Sequence, residues 1–245
     1  MSVAVVQGAG GSIGTHFVRH LLRRTDLHVV ATSRDPTKLG DLLNKDESLD
    51  TKDRLTILKV DVKDESTIAQ AANDVKEKFG QASLKLLLNV SGVLHADKSV
   101  QQVKQDQLLD HFQLNTFGHL LTYKHFVPLL PKNADVKKRA GEPDLSKGSL
   151  PKDLSVLASL TARVIVTLQR ELELRSTPSI AIALHPGTVV GTNLSKAFTK
   201  EQDAGQKPGV FKPEQSTEKL LDVIKGLRQE DGGRFLDWAG KDIQW

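Results

Sequence analysis

Residues 3–14 read VAVVQGAGGSIG and decide the fold class of this chain. Val3–Val6 is a short apolar run, typical of a buried parallel strand. Glycines then cluster at residues 8–14, and Phe17 and Leu21 continue a helical pattern. A strand, a glycine turn and a helix in this order predict a dinucleotide site rather than a plain structural turn. The reason is that glycines let a pyrophosphate approach the backbone, and the helix N-terminus offers free N–H groups.

Strand and helix patterns alternate along the rest of the chain. Further strands are predicted at Leu27–Thr32, Leu55–Val60, Leu84–Asn89, Ser179–His185 and Phe235–Trp238. Helices are predicted from Asp35 to about Gly40, from Asp64 to Phe79, from Gln105 to Leu130 and from Ser216 to Leu227. This rhythm predicts an α/β fold in which residues 1–245 form a single doubly wound parallel sheet of Rossmann type.

The composition argues against several classes of protein. The 34 Lys and Arg residues are dispersed and exceed the 30 acidic residues only slightly, so nucleic-acid binding is not expected. Cysteine is absent, which excludes disulfides and thiolate metal sites. His16 and His20 have ligand-like spacing without an evident acidic partner, so no metal site is predicted. No apolar stretch reaches the length of a membrane span and residues 1–7 lack a signal pattern, which favours a cytoplasmic location.

The end of the second predicted strand bears on the choice of cofactor. It reads Thr32-Ser33-Arg34, without the acidic residue that would accept hydrogen bonds from the ribose of NAD. Ser33 and Arg34 are suited to a 2′-phosphate instead, which favours NADP(H) over NAD. The alternative is that Arg34 is an ordinary surface charge.

Further motifs extend along nearly the whole chain. They are Gly8, Ser12 and Gly14 in the turn, Asp61-Val62, Asn89-Val90-Ser91-Gly92, Leu114-Asn115-Thr116, His185-Pro186-Gly187-Thr188 and the ending Phe235-Leu236-Asp237-Trp238-Ala239-Gly240. With these motifs the chain resembles the short-chain dehydrogenase/reductase superfamily, and within it the branch of C-factor-like carbonyl reductases. Ser12 departs from the family's Gly-x-x-x-Gly-x-Gly turn, and Gly11 stands where NADP-specific members often carry a basic residue.

The resemblance implies a set of cofactor-binding residues. They are Gly8, Gly10, Gly11, Ser12, Ile13 and Gly14 at the phosphates, Ser33 and Arg34 at the 2′-phosphate, Asp61 and Val62 at the adenine, Asn89 and Gly92 after the fourth strand, and Pro186, Gly187 and Thr188 beside the nicotinamide. Asn115 matches the family residue that kinks the fourth helix and supports a proton relay. The implied activity is hydride transfer between NADP(H) and a carbonyl or alcohol substrate.

The catalytic pair of that family is absent from this sequence. Family members carry a Tyr that protonates the substrate oxygen and, four residues later, a Lys that lowers the pKa of the phenol. Here the one tyrosine is Tyr123, and Val127 stands four residues after it. We interpret Tyr123 as a packing residue. The segment that would carry the pair is missing between Val164 and Ile165, which we interpret as an internal deletion.

The deletion leaves two interpretations of residues 154–174. Apolar residues such as Leu160 and Leu168 keep helical spacing, which favours one continuous helix and a sheet without its fifth strand. Alternatively, the fifth strand runs to about Ser159 and the fifth helix is shortened. Ser159 and Thr161 are the nearest candidates for a hydroxyl that steadies the substrate oxygen.

These observations predict an NADP(H)-binding protein of an oxidoreductase family whose turnover is impaired or lost. Two alternatives stay open: a non-catalytic module whose cofactor occupancy regulates a partner, and an active carbonyl reductase with a substitute acid. The family implies a small-molecule carbonyl or alcohol substrate. It also implies a homo-oligomer joined through the fourth and fifth helices, an assembly that the shortened fifth helix puts in question.

Overall fold

The computed structural model describes residues 1–94, 100–132, 150–151, 154–160, 169, 172–173, 177–196 and 198–244. Within these residues seven strands form one parallel sheet, namely β1 (Val3–Gln7), β2 (His28–Ser33), β3 (Leu55–Lys59), β4 (Leu84–Asn89), β5 (Ser155–Ser159), β6 (Ser179–His185) and β9 (Phe235–Asp237). Their order across the sheet is β3-β2-β1-β4-β5-β6-β9. Two short strands, β7 (Thr188–Val189) and β8 (Val210–Phe211), pair in parallel beside this sheet.

Helices cover both faces of the large sheet. They are α1 (Ser12–Arg24), α2 (Pro36–Asn44), α3 (Glu65–Phe79), α4 (Gln105–Phe112), α5 (Gly118–Phe126) and α6 (Pro213–Gly226), with 3₁₀ turns at Val100–Gln102, Val127–Leu129, Glu201–Asp203 and Gln229–Asp231. One core lies between the sheet and α1, α2 and α6, and the other between the sheet and α3 and α5. The doubly wound Rossmann fold predicted from the sequence is therefore confirmed. No helix in the described part of the chain has the length and apolarity that a membrane crossing requires.

Local signals explain most helix boundaries. The Asp64 carboxylate accepts a hydrogen bond from the Ser66 amide and caps α3, which ends before Gly80 at a φ of 84°. The predicted end of α3 at Phe79 is confirmed. The second helix continues to Asn44, past the predicted end at Gly40, and α6 begins at Pro213, before the predicted Ser216. Proline is favourable at the first position of a helix, which explains the earlier start.

The continuous helix favoured for residues 154–174 is wrong for residues 155–159. These residues form β5, which pairs in parallel with β4 on one side and with β6 on the other. Val156 and Ala158 pack on one face of the sheet and Leu157 on the opposite face. A helix here would leave backbone N–H and C=O groups of two buried strands without partners, so non-local pairing overrides the local helical spacing. Thr161 and the Val164–Ile165 junction lie outside the described residues.

The sheet places the predicted site residues along one edge. Gln7, Asn89 and Ser159 stand side by side at the carboxyl ends of β1, β4 and β5. The loops that follow these strands meet above the same edge, which is where ligands bind in open parallel α/β sheets. The glycine turn after β1 and the Pro186–Thr188 segment after β6 both lie at this edge.

Candidate functional site

The glycine turn after β1 is crowded on one side. Gly8 has a φ of 86°, and a Cβ atom there would lie 2.6 Å from the amide nitrogen of Ser91. At Gly14 a Cβ atom would lie 2.3 Å from the carbonyl oxygen of Gly8. Both positions therefore require glycine. Gly11 differs, since its Cβ atom would meet the Gly8 oxygen at an ordinary 3.6 Å.

The opposite side of the turn is open to solvent. Residues 10–12 are exposed, no side chain caps the first turn of α1, and that turn contains no acidic residue. The partial positive charge of the helix N-terminus is therefore available to an anion. A turn that has no space for side chains on its packed side and has a helix N-terminus on its open side suits a phosphate.

The end of β2 packs directly against the glycine turn. A Cβ atom on Gly10 would lie 2.6 Å from the Ser33 hydroxyl, which accepts a hydrogen bond from the Asp35 amide. The Asp35 carboxylate caps α2 by accepting from the Lys38 amide, so this acid is already engaged. Arg34 is exposed. The structure thus places the Ser33 hydroxyl beside the turn, and Arg34 is the next residue along the chain.

The residues predicted at the adenine have different surroundings. Asp61 is partly buried, and its carboxylate accepts a hydrogen bond from the Lys63 amide at 3.0 Å. The Val62 side chain is buried, and its Cβ atom would lie 2.7 Å from a Cβ atom placed on Gly118. Val62 therefore fixes the spacing between the loop after β3 and α5, which leaves its backbone as the group that a cofactor could contact.

Asn115 stabilises the loop that follows β4. It lies in a π turn, Gln113–Phe117, between α4 and α5. Its amide group donates to the Val93 carbonyl oxygen and accepts from the Val93 N–H, both at 2.8 Å. A Cβ atom on Gly92 would lie 3.2 Å from the Asn115 side-chain oxygen. A π turn therefore interrupts the helix at Asn115, and the Asn115 side chain fixes the backbone next to Gly92.

Ser159 and His119 form a buried hydrogen-bonded pair behind that loop. His119 Nδ1 lies 2.7 Å from the Ser159 hydroxyl oxygen, and Nε2 lies 2.7 Å from the Ser91 carbonyl oxygen. Because a carbonyl oxygen can only accept, Nε2 carries the ring proton and Nδ1 accepts the Ser159 proton. Burial lowers the pKa of His119 to about 4, so the ring is neutral at pH 7. Ser159 is fully buried, and its proton is directed at His119 rather than at a substrate.

Tyr123 lies in the same buried cluster. Burial raises the pKa of its phenol, and the nearby Ser159 and Asn89 side chains offset this only in part, without reaching hydrogen-bond geometry. The phenol oxygen and the Asn89 side-chain oxygen are buried without a hydrogen bond in the described part of the chain. Asn89 donates instead to the His119 carbonyl oxygen. A fully buried phenol with a raised pKa is a poor proton donor, which agrees with the interpretation of Tyr123 as a packing residue.

The segment after β6 is fixed from several sides. Gly187 has a φ of 74°, and a Cβ atom there would lie 2.6 Å from the Gly209 carbonyl oxygen. The Gly187 amide donates to His185 Nδ1, and the buried Ser216 hydroxyl donates to the Pro186 carbonyl oxygen at 2.7 Å. The exposed Thr188 side chain lies at the end of this segment.

Sequence reasoning missed His119 and Ser216. His119 follows Asn115 by four residues, and residues four apart share one face of a helix, so this neighbour of the loop after β4 carried a signal. Ser216 gave no such signal, because its contact with Pro186 joins segments 30 residues apart.

Comparison with known proteins places this geometry in a family. A family model described as short chain dehydrogenase matches residues 2–141, more than half of the 245-residue chain. The chain belongs to the short-chain dehydrogenase family. The resemblance to the short-chain dehydrogenase/reductase superfamily is thereby confirmed, and with it the relation to oxidoreductases.

Two relatives show how far the sequence similarity extends. The uncharacterized oxidoreductase C663.06c of Schizosaccharomyces pombe is 26% identical, and the match covers 98% of this chain and 96% of that one. A Rhodococcus protein named 1-hydroxy-2-glutathionyl-2-methyl-3-butene dehydrogenase is 30% identical over 76% of this chain and 78% of its own length.

Two solved structures share the fold of this chain. The NADPH-bound carbonyl reductase from chicken fatty liver superposes with a TM-score of 0.78 at 24% identity, covering 100% of this chain and 98% of that chain. The carbonyl reductase Sniffer of D. melanogaster gives a TM-score of 0.78 at 18% identity, with 100% and 99% coverage. At these identities the similarity establishes the fold alone.

Proposed function

We propose that this chain binds NADP(H) at the sheet edge and that its turnover of a carbonyl or alcohol substrate is impaired or lost. The glycine turn carries the proposal. Gly8 and Gly14 cannot accept a side chain, while residues 10–12 and the uncapped N-terminus of α1 are open. This combination suits the pyrophosphate of a dinucleotide.

The preference for NADP(H) over NAD rests on the end of β2. Ser33 lies against Gly10, so its hydroxyl is next to the turn, and the exposed Arg34 follows it. Asp35 is occupied in capping α2 and does not replace the acidic residue typical of NAD sites. An arginine with an adjacent hydroxyl favours a phosphate ester over a free ribose hydroxyl.

Impaired turnover follows from the state of the possible proton donors. When bound, the nicotinamide supplies or accepts a hydride at a carbonyl carbon. The protein must then move a proton at the carbonyl oxygen. Tyr123 is buried with a raised phenol pKa, and Ser159 donates to His119. No lysine stands four residues after the one tyrosine. Neither hydroxyl is therefore arranged to protonate a substrate.

The length of the alignments supports an internal deletion. The match to the Schizosaccharomyces pombe relative runs over 252 positions, which exceeds the 245 residues of this chain. The relative therefore contains residues without a counterpart here. We place the missing segment at the Val164–Ile165 junction, and sequencing the transcript across that junction tests this placement.

Equilibrium titration with NADPH and NADH, followed by an assay of NADPH oxidation with a panel of aldehydes and ketones, tests the proposal. We expect binding of NADPH, weaker binding of NADH, and oxidation no faster than in a control without protein. Absence of NADPH binding would overturn the cofactor proposal. Turnover well above the control that disappears in Tyr123→Phe would instead support the active reductase with a substitute acid.

A further inference from the structure

Three side chains meet behind the segment that follows β6. The rings of Phe211 and Trp238 pack edge to face, with centroids 4.9 Å apart and planes at 71°. The Lys219 ammonium group stands over both rings, 5.6 Å from the Phe211 centroid and 5.5 Å from the Trp238 centroid. Each ring contact of this kind is attractive, since a cation and a ring edge both favour the negative face of an aromatic ring. We call these three residues the aromatic clamp.

The clamp contacts the Pro186–Thr188 segment through β8. Phe211 pairs with Val189 in the small sheet, and the Thr188 amide donates to the Gly209 carbonyl oxygen at 2.7 Å. The Phe211 ring also fills the space beside Gly187, where a Cβ atom would lie 3.0 Å from ring carbons.

Trp238 packs against Gly209, the residue that precedes β8. Its indole nitrogen would lie 3.4 Å from a Cβ atom on Gly209, so the ring packs against the backbone that accepts from Thr188. A displacement of Trp238 is therefore transmitted through Phe211 and Gly209 to Gly187 and Thr188.

We propose that Phe211, Lys219 and Trp238 are positioning residues that keep the Pro186–Thr188 segment in the conformation that receives the nicotinamide ring. The inference rests on the proposed function, because it assumes that NADPH binds with its nicotinamide beside this segment. Trp238 follows β9 and the glycine turn follows β1, and β4, β5 and β6 lie between these two strands in the sheet. We therefore expect the clamp to affect the nicotinamide half of the cofactor and to leave the adenosine half unchanged. Loss of the clamp lowers the fraction of molecules in the competent conformation, and the apparent affinity falls by that fraction.

The test compares two ligands that share one half. NADPH carries the nicotinamide, whereas adenosine 2′,5′-bisphosphate carries only the adenosine end and its phosphates. For Trp238→Leu we expect about tenfold weaker NADPH binding, since the ring pair and a cation–π contact are both lost. We expect the affinity for adenosine 2′,5′-bisphosphate to stay the same. Trp238→Phe keeps a ring in place and should restore most of the NADPH affinity.

A second variant and a control make the test independent of folding defects. Lys219 is exposed, so Lys219→Met removes the cation without disturbing a core, and we expect about threefold weaker NADPH binding. Phe198 lies in the segment that joins β7 to β8, and its side chain is 67% exposed. Phe198→Ala should therefore leave both affinities unchanged.

Calorimetric titrations of the full chain distinguish the outcomes. Selective loss of NADPH affinity in the clamp variants supports the inference. Unchanged NADPH affinity in Trp238→Leu and Lys219→Met, or equal weakening of both ligands, overturns it while leaving the proposed function intact. If the unaltered chain binds neither ligand, the proposed function fails and the inference fails with it.

Discussion

The glycine turn and the cluster of Ser159, His119 and Tyr123, here called the Ser159 cluster, lie at the same edge of the sheet. The two regions differ in how far their polar groups are exposed. In the turn, no side chain caps the start of α1, and exposed residues 10–12 leave room for a ligand. In the cluster, the Ser159 hydroxyl and the His119 ring are buried and bonded to each other. The glycine turn has room for a ligand, whereas most polar groups of the Ser159 cluster already have hydrogen-bond partners within the protein. Under the proposed function, this contrast explains how cofactor binding can be kept while turnover is impaired.

The largest expected effect tests whether the turn is as crowded as its geometry indicates. Gly14→Ala places a Cβ atom 2.3 Å from a backbone oxygen, which the chain must relieve by moving α1 away from the turn. We expect a loss of about 3 kcal/mol in the free energy of unfolding, together with loss of NADPH binding. Chemical denaturation and NADPH titration measure the two effects.

Gly11→Ala is the matched control for this prediction. Its Cβ atom would be 3.6 Å from the same oxygen, and its φ of −84° suits any residue. Its free energy of unfolding should therefore stay within about 1 kcal/mol of that of the unaltered chain. Equal behaviour of the two alanine variants would contradict the packing argument for the turn.

The next prediction concerns the buried and neutral ring of His119 in the Ser159 cluster. The pKa of His119 is about 4 in the folded chain, below its ordinary value of 6.5, because burial disfavours the imidazolium. Between these values the unfolded chain binds more protons, so stability falls as pH decreases from about 6.5 to about 4. The expected contribution of His119 to this fall is about 3 kcal/mol.

Denaturation curves at several pH values check this prediction against His119→Gln, which keeps a polar side chain but does not titrate. The carboxylates contribute equally to both proteins, so the difference between their pH profiles isolates His119. Parallel profiles for the two proteins would show that His119 is not buried in its neutral form.

A smaller effect tests the choice of cofactor at the turn. Arg34→Glu replaces a cation with an acid that repels a 2′-phosphate and suits a ribose hydroxyl. We expect about thirtyfold weaker NADPH binding and no loss of NADH binding. Lys45→Glu makes the same charge change at another exposed position and serves as the control. If both variants lose NADPH affinity to the same extent, Arg34 is an ordinary surface charge.

The smallest effect is expected at Tyr123. Its hydroxyl is buried without a well-formed hydrogen bond in the described part of the chain, and Ser159 and Asn89 interact with it only in part. Tyr123→Phe therefore removes a polar group that gains little from the fold. We expect the free energy of unfolding to stay constant or to rise by less than about 1 kcal/mol. Any residual NADPH oxidation should be unaffected. A clear loss of stability would reveal a hydrogen bond to the phenol.

Much of this protein follows from its sequence alone. The strand at residues 3–6, the glycine turn and the cap of α3 depend on neighbours within a few residues, and their positions are confirmed. The absence of a lysine four residues after Tyr123 is likewise a property of the chain. Local sequence determines such features because periodicity, capping and glycine conformations act over one or two turns.

Other features were decided only by the tertiary structure. The apolar residues of the segment 154–174 have helical spacing, but residues 155–159 form β5. There their backbone groups pair with the buried strands β4 and β6 on either side. Ser159 was a candidate for substrate contact until His119, 40 residues away in the sequence, accepted its proton. Phe211 and Trp238 support Gly187 through contacts that no local pattern encodes. These outcomes depend on which backbone and side-chain groups meet after folding, and unsatisfied polar groups in a buried site are too costly to remain when a distant partner can reach them.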